Sequence, residues 1–181
     1  MEISQPPRLF EHGIHTEKSD IRVHVGVSMR TIFVFKTKCA LAALDAKQYP
    51  RANAKQPGVM GITATGYLVP PADISDMQRL KPQSDYFIKN HWLRFSESDS
   101  TSKKGKLAVA FVCEIMRLGR FPLWLNIGDE TRDKEIQIEG TDIILMASRR
   151  VQVKCDWFAG DTRKSGCLYL QTAERNPLKM V

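Results

Sequence analysis

The sequence has few of the residues that build structural metal sites or disulfide frameworks. Its cysteines are widely separated, so no CxxC pair is present, and neither a zinc ribbon nor a thioredoxin-type redox site is expected. The four cysteines are Cys39, Cys113, Cys155 and Cys167. Histidine is also scarce, and although His12 and His15 lie close together, no third ligand follows at metal-binding spacing. We therefore expect reduced thiols in a reducing compartment.

Long hydrophobic runs are missing as well. No stretch approaches the roughly 20 apolar residues that a membrane-spanning helix needs. Residues 1–13 are too polar and proline-rich for a signal peptide. We therefore expect an intracellular protein, in the cytoplasm or with the nucleoid or nucleus, that has no membrane partner. The 181 residues, 43% of them hydrophobic, suffice for one domain or for one domain with an appendage.

Basic residues outnumber acidic ones. The net charge is +7 and the isoelectric point is about 9.3, which favours acidic partners and above all nucleic acid. The excess is spread along the chain without a polybasic tail. Charge alone therefore favours a nucleic-acid partner but does not identify one.

A serine-rich polar segment at residues 96–106 divides the chain. It is typical of a linker or exposed loop. Residues 1–95 then form an N-terminal α+β region for target recognition or an accessory role, and residues 102–181 form the core. In the N-terminal region, apolar alternation predicts strands at residues 21–27, 31–35 and 59–69. Helices are predicted at residues 39–50 and 73–81, while residues 51–58 are predicted to be a loop.

The core region has a clearer pattern. Apolar residues at helical spacing predict a helix that Ser102 caps and Gly119 ends. Strands are predicted at residues 122–127, 136–146, 149–157 and 167–173, with loops at residues 128–135 and 158–166. This order predicts a mixed sheet with a helix across one face.

The segment from Glu139 to Trp157 carries the polar residues of greatest interest. Because side chains alternate along a strand, Gln152 and Lys154 share one face, while Val151 and Val153 share the other. A buried lysine needs a partner, and Asp142, at the start of the preceding strand, is the obvious one. A carboxylate and an amide oxygen are also hard ligands that suit Mg²⁺. The residues therefore indicate either a metal site across two strands or a plain cross-strand ion pair.

The pattern GTDIILMASRRVQVKCD resembles the core of the PD-(D/E)XK nuclease superfamily, in which an acid opens one strand and a (D/E)-X-K tripeptide lies on the next. Together with the preceding helix, the resemblance covers roughly residues 102–177. Two positions depart from it. Gln152 stands where the family usually has Asp or Glu, and Val109 stands at the position of the helix glutamate, so that Glu114 is the acid left in the helix.

The resemblance implies an α/β (α+β) fold with a restriction-endonuclease-like core, a mixed central sheet flanked by helices and an N-terminal α+β extension. It implies an endonuclease that hydrolyses phosphodiester bonds in DNA, with RNA not excluded. Mg²⁺, which Mn²⁺ can replace, would be held by Asp142, the Gln152 oxygen and the Val153 carbonyl. Lys154 would orient the attacking water, and Glu114 would complete the shell. A homodimer would supply one site for each strand of a duplex.

Several basic residues around this core are expected to contact phosphates. They are Lys103, Lys104 and Lys106 at the helix start, Arg149 and Arg150 in the hairpin turn, and Arg163 and Lys164 before the last strand. An acidic loop offers an alternative carboxylate, from Asp129, Glu130, Asp133 or Glu135. Two other functions stay open: a catalytically degenerate nuclease fold that binds nucleic acid or a protein without cleaving, and an unrelated α+β interaction domain.

Overall fold

The protein is a mixed α+β structure. A computed structural model describes residues 18–26, 30–54, 64–80, 101–117, 128–130, 141–145, 148–156 and 166–174. In chain order the elements are β1 (Ile21–Gly26), β2 (Thr31–Lys36), α1 (Thr37–Ala46), β3 (Arg51–Ala54), β4 (Ala64–Val69), β5 (Gln78–Leu80), α2 (Thr101–Arg117), β6 (Gly128–Glu130), β7 (Ile143–Leu145), β8 (Arg150–Asp156) and β9 (Leu168–Glu174). A short 3-10 turn, Pro71–Asp73, precedes β5.

A six-stranded sheet in the order β5-β2-β1-β8-β7-β6 forms the centre. Strands β1 and β8 are parallel, with Ile21 opposite Val151 and Val25 opposite Cys155. The other neighbouring pairs are antiparallel. The sheet therefore takes strands from both sides of the serine-rich segment, and the boundary predicted between residues 1–95 and 102–181 does not separate two sheets.

Asp20 joins the starts of three elements. Its N–H donates to the Arg150 carbonyl, and its Oδ2 accepts the Arg150 N–H, both at 2.8 Å. Its own carbonyl accepts the Thr37 N–H at 2.9 Å. Because one residue satisfies backbone groups of both β8 and α1, it sets the register of β1 against β8 and the place where α1 begins.

Helix α2 covers one face of this sheet. Alternation along β1 and β8 turns Val23, Val25, Val151 and Val153 to the same side, where they pack against the buried side chains of α2. Those helix residues are Ala108, Val109, Phe111, Val112, Cys113, Ile115 and Met116. These residues recur at the helical period, so the apolar stripe predicted from the sequence faces the sheet.

The opposite face of β2 packs on a second layer. Phe33 and Phe35 form an apolar cluster with α1 and with Leu168 and Leu170 of β9. Strands β3, β4 and β9 make a separate three-stranded antiparallel sheet. The helix α2, the six-stranded sheet, and the second sheet with α1 therefore form successive layers.

The predicted strands at β1, β2, β4, β7, β8 and β9 are confirmed, as are the two helices α1 and α2. Three other predictions are wrong. Residues 51–54 and 128–130 form strands rather than loops, and residues 78–80 form a strand rather than part of a helix. Each pairs with a neighbouring strand, and tertiary pairing outweighs local propensity there. Strand β9 was expected in the same sheet as β8, but it belongs to the second sheet.

The predicted segments at residues 122–127 and 158–165 lie outside the described residues. Helix α2 begins at Thr101, so Ser102 lies inside its first turn. Among the helices of the described chain, none is long and apolar enough to cross a membrane.

Gly66 is a position where the second sheet admits no side chain. A Cβ there would overlap the backbone oxygen of Leu170, beside a register shift between Thr65 and Gly66. We predict that Gly66→Ala lowers the free energy of unfolding by about 1–3 kcal/mol, measured by urea denaturation. Gly105→Ala in α2 is the matched control: its Cβ meets nothing within 4 Å, and helix propensity predicts a gain of up to about 1 kcal/mol. Equal changes in unfolding free energy for the two substitutions would contradict the close approach of Gly66 to the Leu170 backbone.

Candidate functional site

Asp142 lies where β7 joins the central sheet and is hydrogen-bonded to both neighbours of Gln152. Its N–H donates to the Val151 carbonyl at 2.9 Å, and its Oδ2 accepts the Val153 N–H at 2.7 Å. The carboxylate thus replaces a main-chain carbonyl as the acceptor at the end of the hydrogen-bond ladder between β7 and β8. The backbone therefore holds Asp142 directly beside Gln152.

A tight hairpin connects β7 to β8. The Leu145 N–H donates to the Arg149 carbonyl and the Ser148 N–H donates to the Leu145 carbonyl, both at 2.9 Å. Ser148 has a φ of 57°, the left-handed conformation that closes three-residue hairpin loops. The predicted hairpin is confirmed. Arg149 is exposed in its turn, while Arg150 begins β8 and is half-buried.

Gln152 and Lys154 lie on the face opposite α2, because Val151 and Val153 pack beneath that helix. Lys154 is half-buried, whereas Gln152 is only 5% exposed. The Gln152 Oε1 atom is buried and has no hydrogen-bond partner in the part of the chain that the structure describes. A buried amide oxygen of this kind is an acceptor that lacks a donor or a cation.

Strand β1 adds two polar residues to the same face. Arg22 lies opposite Gln152 in the parallel register, and His24 lies opposite Lys154. Both are buried, and the His24 ring packs 5.2 Å from the Phe35 ring, between centroids. We call Arg22, His24, Gln152 and Lys154 the polar row.

The polar row is rich in positive charge. Burial lowers the pKa of Arg22 to about 9, so the guanidinium still carries its charge at neutral pH. Lys154 is a second cation on the same face. A fixed positive charge next to Gln152 favours an anion such as a phosphate, and it opposes a metal cation unless carboxylates offset it.

The structure separates Glu114 from this site. The buried residues of α2 face the sheet, while Glu114 lies near the exposed Ala110 and Arg117 on the outer side of the helix. The sheet itself lies between α2 and the polar row. Val109, at the position expected for the helix glutamate, is part of the apolar core. The expectation that Glu114 completes the metal shell is therefore not supported by this geometry.

The predicted phosphate-binding residues occupy different layers. Lys103 and Lys106 are exposed and Lys104 is half-buried in the first turns of α2, on the face opposite the polar row. Arg149 and Arg150 lie at the start of β8. The segment containing Arg163 and Lys164 lies outside the described residues. Arg150 is thus the predicted contact that lies on the same strand as Gln152 and Lys154, while Arg149 bonds to Leu145 on the α2 face.

The carboxylate and amide oxygens at this site are of the type that Mg²⁺ prefers, but the described residues supply few of them. Within the described ranges, no three His, Cys, Asp or Glu residues form a group that could hold a metal. Asp142 and the Gln152 oxygen are hard donors, and a magnesium-type ion bound there would keep several waters. The segment Asp129–Glu130, predicted to be an acidic loop, lies in β6, where Glu130 is opposite Ile143. The Val153 carbonyl as a ligand stays a prediction.

Comparison of this chain with models of protein families, with curated proteins and with solved structures found no match.

Arg22 and His24 are not among the site residues predicted from the sequence. Their signal was the alternation in IRVHVG, where polar residues at positions 22 and 24 interrupt an apolar strand. Alternation predicts that the two share a face, but it does not say which strand lies beside them. Their relation to Gln152 and Lys154 follows only from the parallel pairing of β1 with β8.

The hydrogen bond from Val153 to Asp142 can be tested by two substitutions. Asp142→Asn keeps an oxygen that accepts the Val153 N–H, whereas Asp142→Ala leaves that N–H without its acceptor. With chelator present, we predict that the alanine variant loses about 1–3 kcal/mol of unfolding free energy, and that the asparagine variant loses less than about 1 kcal/mol. Urea denaturation measures both values. Equal losses would show that the hydrogen bond does not stabilise the fold.

Proposed function

We propose that this protein is a metal-dependent endonuclease that hydrolyses phosphodiester bonds in DNA, with Asp142, Gln152 and Lys154 at its site. One observation carries the proposal: the buried Gln152 Oε1 has no hydrogen-bond partner among the described residues and lies beside a half-buried carboxylate. A buried acceptor left unsatisfied costs about 1–3 kcal/mol. A cation held by Asp142 would remove that penalty.

The order of the elements also supports the proposal. Helix α2 is followed by β6, β7 and β8 as an antiparallel series, with Asp142 at the start of β7 and the Q-X-K residues on β8. This order agrees with the resemblance to the PD-(D/E)XK superfamily and its restriction-endonuclease-like core. Two features differ: the parallel neighbour of β8 is β1 from the N-terminal region, and β9 lies in the second sheet.

In the proposed reaction, Asp142 and the Gln152 oxygen would hold Mg²⁺, which would supply a Lewis acid for a bound water and for the scissile phosphate. Lys154 places its ammonium on the same face as Gln152, where it orients the water or neutralises charge that builds on the phosphate. The buried Arg22 adds a fixed positive charge beside Gln152.

Plasmid cleavage in Mg²⁺ or Mn²⁺ tests this assignment. We predict that Asp142→Asn lowers the cleavage rate at least about 100-fold, since loss of metal-site residues beyond the direct ligands already costs 10–100-fold. Lys154→Met is predicted to lower the rate by about 100-fold or more, because it removes a charge that stabilises the transition state.

Asp45→Asn and Lys38→Met are the matched controls, since both alter exposed residues of α1. They should leave the rate within twofold of the wild-type rate, roughly 0.4 kcal/mol. Cleavage that persists in Asp142→Asn and Lys154→Met, or that needs no divalent ion, would refute the assignment.

Gln152→Glu restores the acid that the family usually has. A second carboxylate beside Asp142 should lower the Kd for Mn²⁺ roughly tenfold, because ligand charge sets the affinity of oxygen sites. Titration calorimetry measures this Kd, with Gln48→Glu at an exposed position as the control. Equal Mn²⁺ affinity for wild type and Gln152→Glu would show that residue 152 is not a metal ligand.

Two observations favour a second function, a nuclease fold that binds nucleic acid without cleaving it. The charged Arg22 lies directly beside the neutral Gln152, and Val109 occupies the position of the helix glutamate. A site with one carboxylate and two cations binds a phosphate more readily than a metal. This function is supported if the protein binds duplex DNA in chelator, gives no heat when titrated with Mn²⁺, and does not cleave DNA.

A further inference from the structure

A second polar site lies at the starting end of β8. Lys36, Asp76, Gln78 and Arg149 line an open cleft of about 250 Å³. Lys36 ends β2 and lies opposite Ile21, which in turn lies opposite Val151. Lys36 and the start of β8 are therefore separated by the single strand β1. The cleft thus combines residues from both sides of the serine-rich segment.

The charges of the cleft favour an anion. In the part of the chain that the structure describes, its lining contains two cationic side chains and one carboxylate. Asp76 lines the cleft as well: its Oδ2 accepts the Lys36 N–H at 2.8 Å, and its Oδ1 is buried without a hydrogen-bond partner in the described ranges. Among the described residues, no ion pair joins Asp76 to Lys36 or to Arg149. The ammonium and the guanidinium outnumber this one carboxylate, and together with the Gln78 amide they supply donors for an anionic ligand.

The backbone around Arg149 is well fixed. The Arg149 carbonyl accepts the Leu145 N–H across the hairpin, and the next residue, Arg150, exchanges two hydrogen bonds with Asp20. On the other side, Asp76 holds the backbone of Lys36. Each cation thus projects from an anchored backbone, so less conformational entropy is lost when an anion binds.

The size of the cleft and the net charge of +7 suit a nucleic-acid backbone. Its volume lies below the roughly 300–1,000 Å³ of sites that enclose whole small molecules, and it is adequate for a phosphate with its sugar. The cleft lies on the α2 face of the central sheet, because Lys36 and Gln78 pair with Ile21 and Val34, which pack against α2. Arg149 bonds to Leu145 across the hairpin on that same face, whereas Gln152 lies on the opposite face. The cleft is therefore a contact separate from the polar row.

We propose that Lys36, Gln78 and Arg149 bind a backbone phosphate of a nucleic acid on the face of the central sheet that carries α2. Phosphate binding in the cleft does not rest on the proposed endonuclease function. Arg149 presents a planar fork to two phosphate oxygens, Lys36 adds a point charge, and Gln78 donates from its amide. The N-terminal region then serves as part of the nucleic-acid contact surface.

Fluorescence anisotropy with a fluorescein-labelled DNA duplex, in chelator, tests the cleft without cleavage. Lys36→Gln and Arg149→Gln should each weaken binding about eightfold near 0.1 M salt, as expected for one lost phosphate contact. Each should also reduce the slope of log K against log salt by about one. Thermal melting checks that both variants fold.

Lys38→Gln and Arg79→Gln are the matched controls, because each removes one positive charge from an exposed residue outside the cleft lining. Both should change duplex affinity less than twofold, which is below about 0.4 kcal/mol. Cleft variants that behave like these controls would overturn the proposal.

A second probe identifies the source of the phosphate. Thermal melting in inorganic phosphate is compared with melting in chloride at equal ionic strength. Stabilisation of the wild type by phosphate, lost in the Lys36→Gln/Arg149→Gln double variant, together with weaker duplex binding by that variant, supports the proposal. Stabilisation by phosphate without any duplex binding would overturn the nucleic-acid assignment.

The test of the cleft can succeed or fail independently of the test of the endonuclease assignment. Duplex binding that depends on Lys36 and Arg149 in a protein that never cleaves would keep the cleft and reject the nuclease. Cleavage that depends on Asp142, in a protein whose Lys36→Gln variant binds DNA like wild type, would keep the nuclease and reject the cleft.

Discussion

The parallel pairing of β1 with β8 is the constraint on which the other features depend. It joins segments 130 residues apart through the reciprocal hydrogen bonds of Asp20 and Arg150. Closing so long a loop has a large entropic cost, which apolar burial under α2 must offset. Val23 and Val25 of β1 and Val151 and Val153 of β8 supply part of that burial, and each is at most 7% exposed.

The same pairing places two kinds of chemistry on the two faces of the central sheet. On the α2 face the side chains are apolar. On the other face, Arg22 and His24 lie next to Gln152 and Lys154. Burying such a row carries a desolvation cost, which the hydrogen bonds and ion pairs of its members must offset. Its presence in the middle of a sheet is typical of a functional site, where stability is exchanged for charge in a fixed position.

Asp142 illustrates how one residue has both a structural and a proposed chemical role. Its Oδ2 completes the ladder by accepting the Val153 N–H, which fixes the carboxylate beside Gln152. A carboxylate so anchored needs little reorganisation when it binds a cation. The structural bond and the proposed metal bond therefore reinforce each other, and only a variant such as asparagine, which keeps the acceptor and removes the charge, separates them.

Local patterns in the sequence determined most elements and part of the site. Alternation predicted that Gln152 and Lys154 share one face, and the apolar stripe predicted α2. The hairpin between Leu145 and Arg149 was also predicted correctly. Each of these features depends on residues that are close together in the chain. Tertiary structure decided the remainder. It made a strand of residues 78–80 by pairing them with β2, put Glu114 on the outer side of α2, and brought Arg22 beside Gln152 and Lys36 near Arg149. Those outcomes depend on which distant strands pair. Strand pairing is governed by the burial of the whole sheet and the closure of long loops, which no short stretch of sequence encodes.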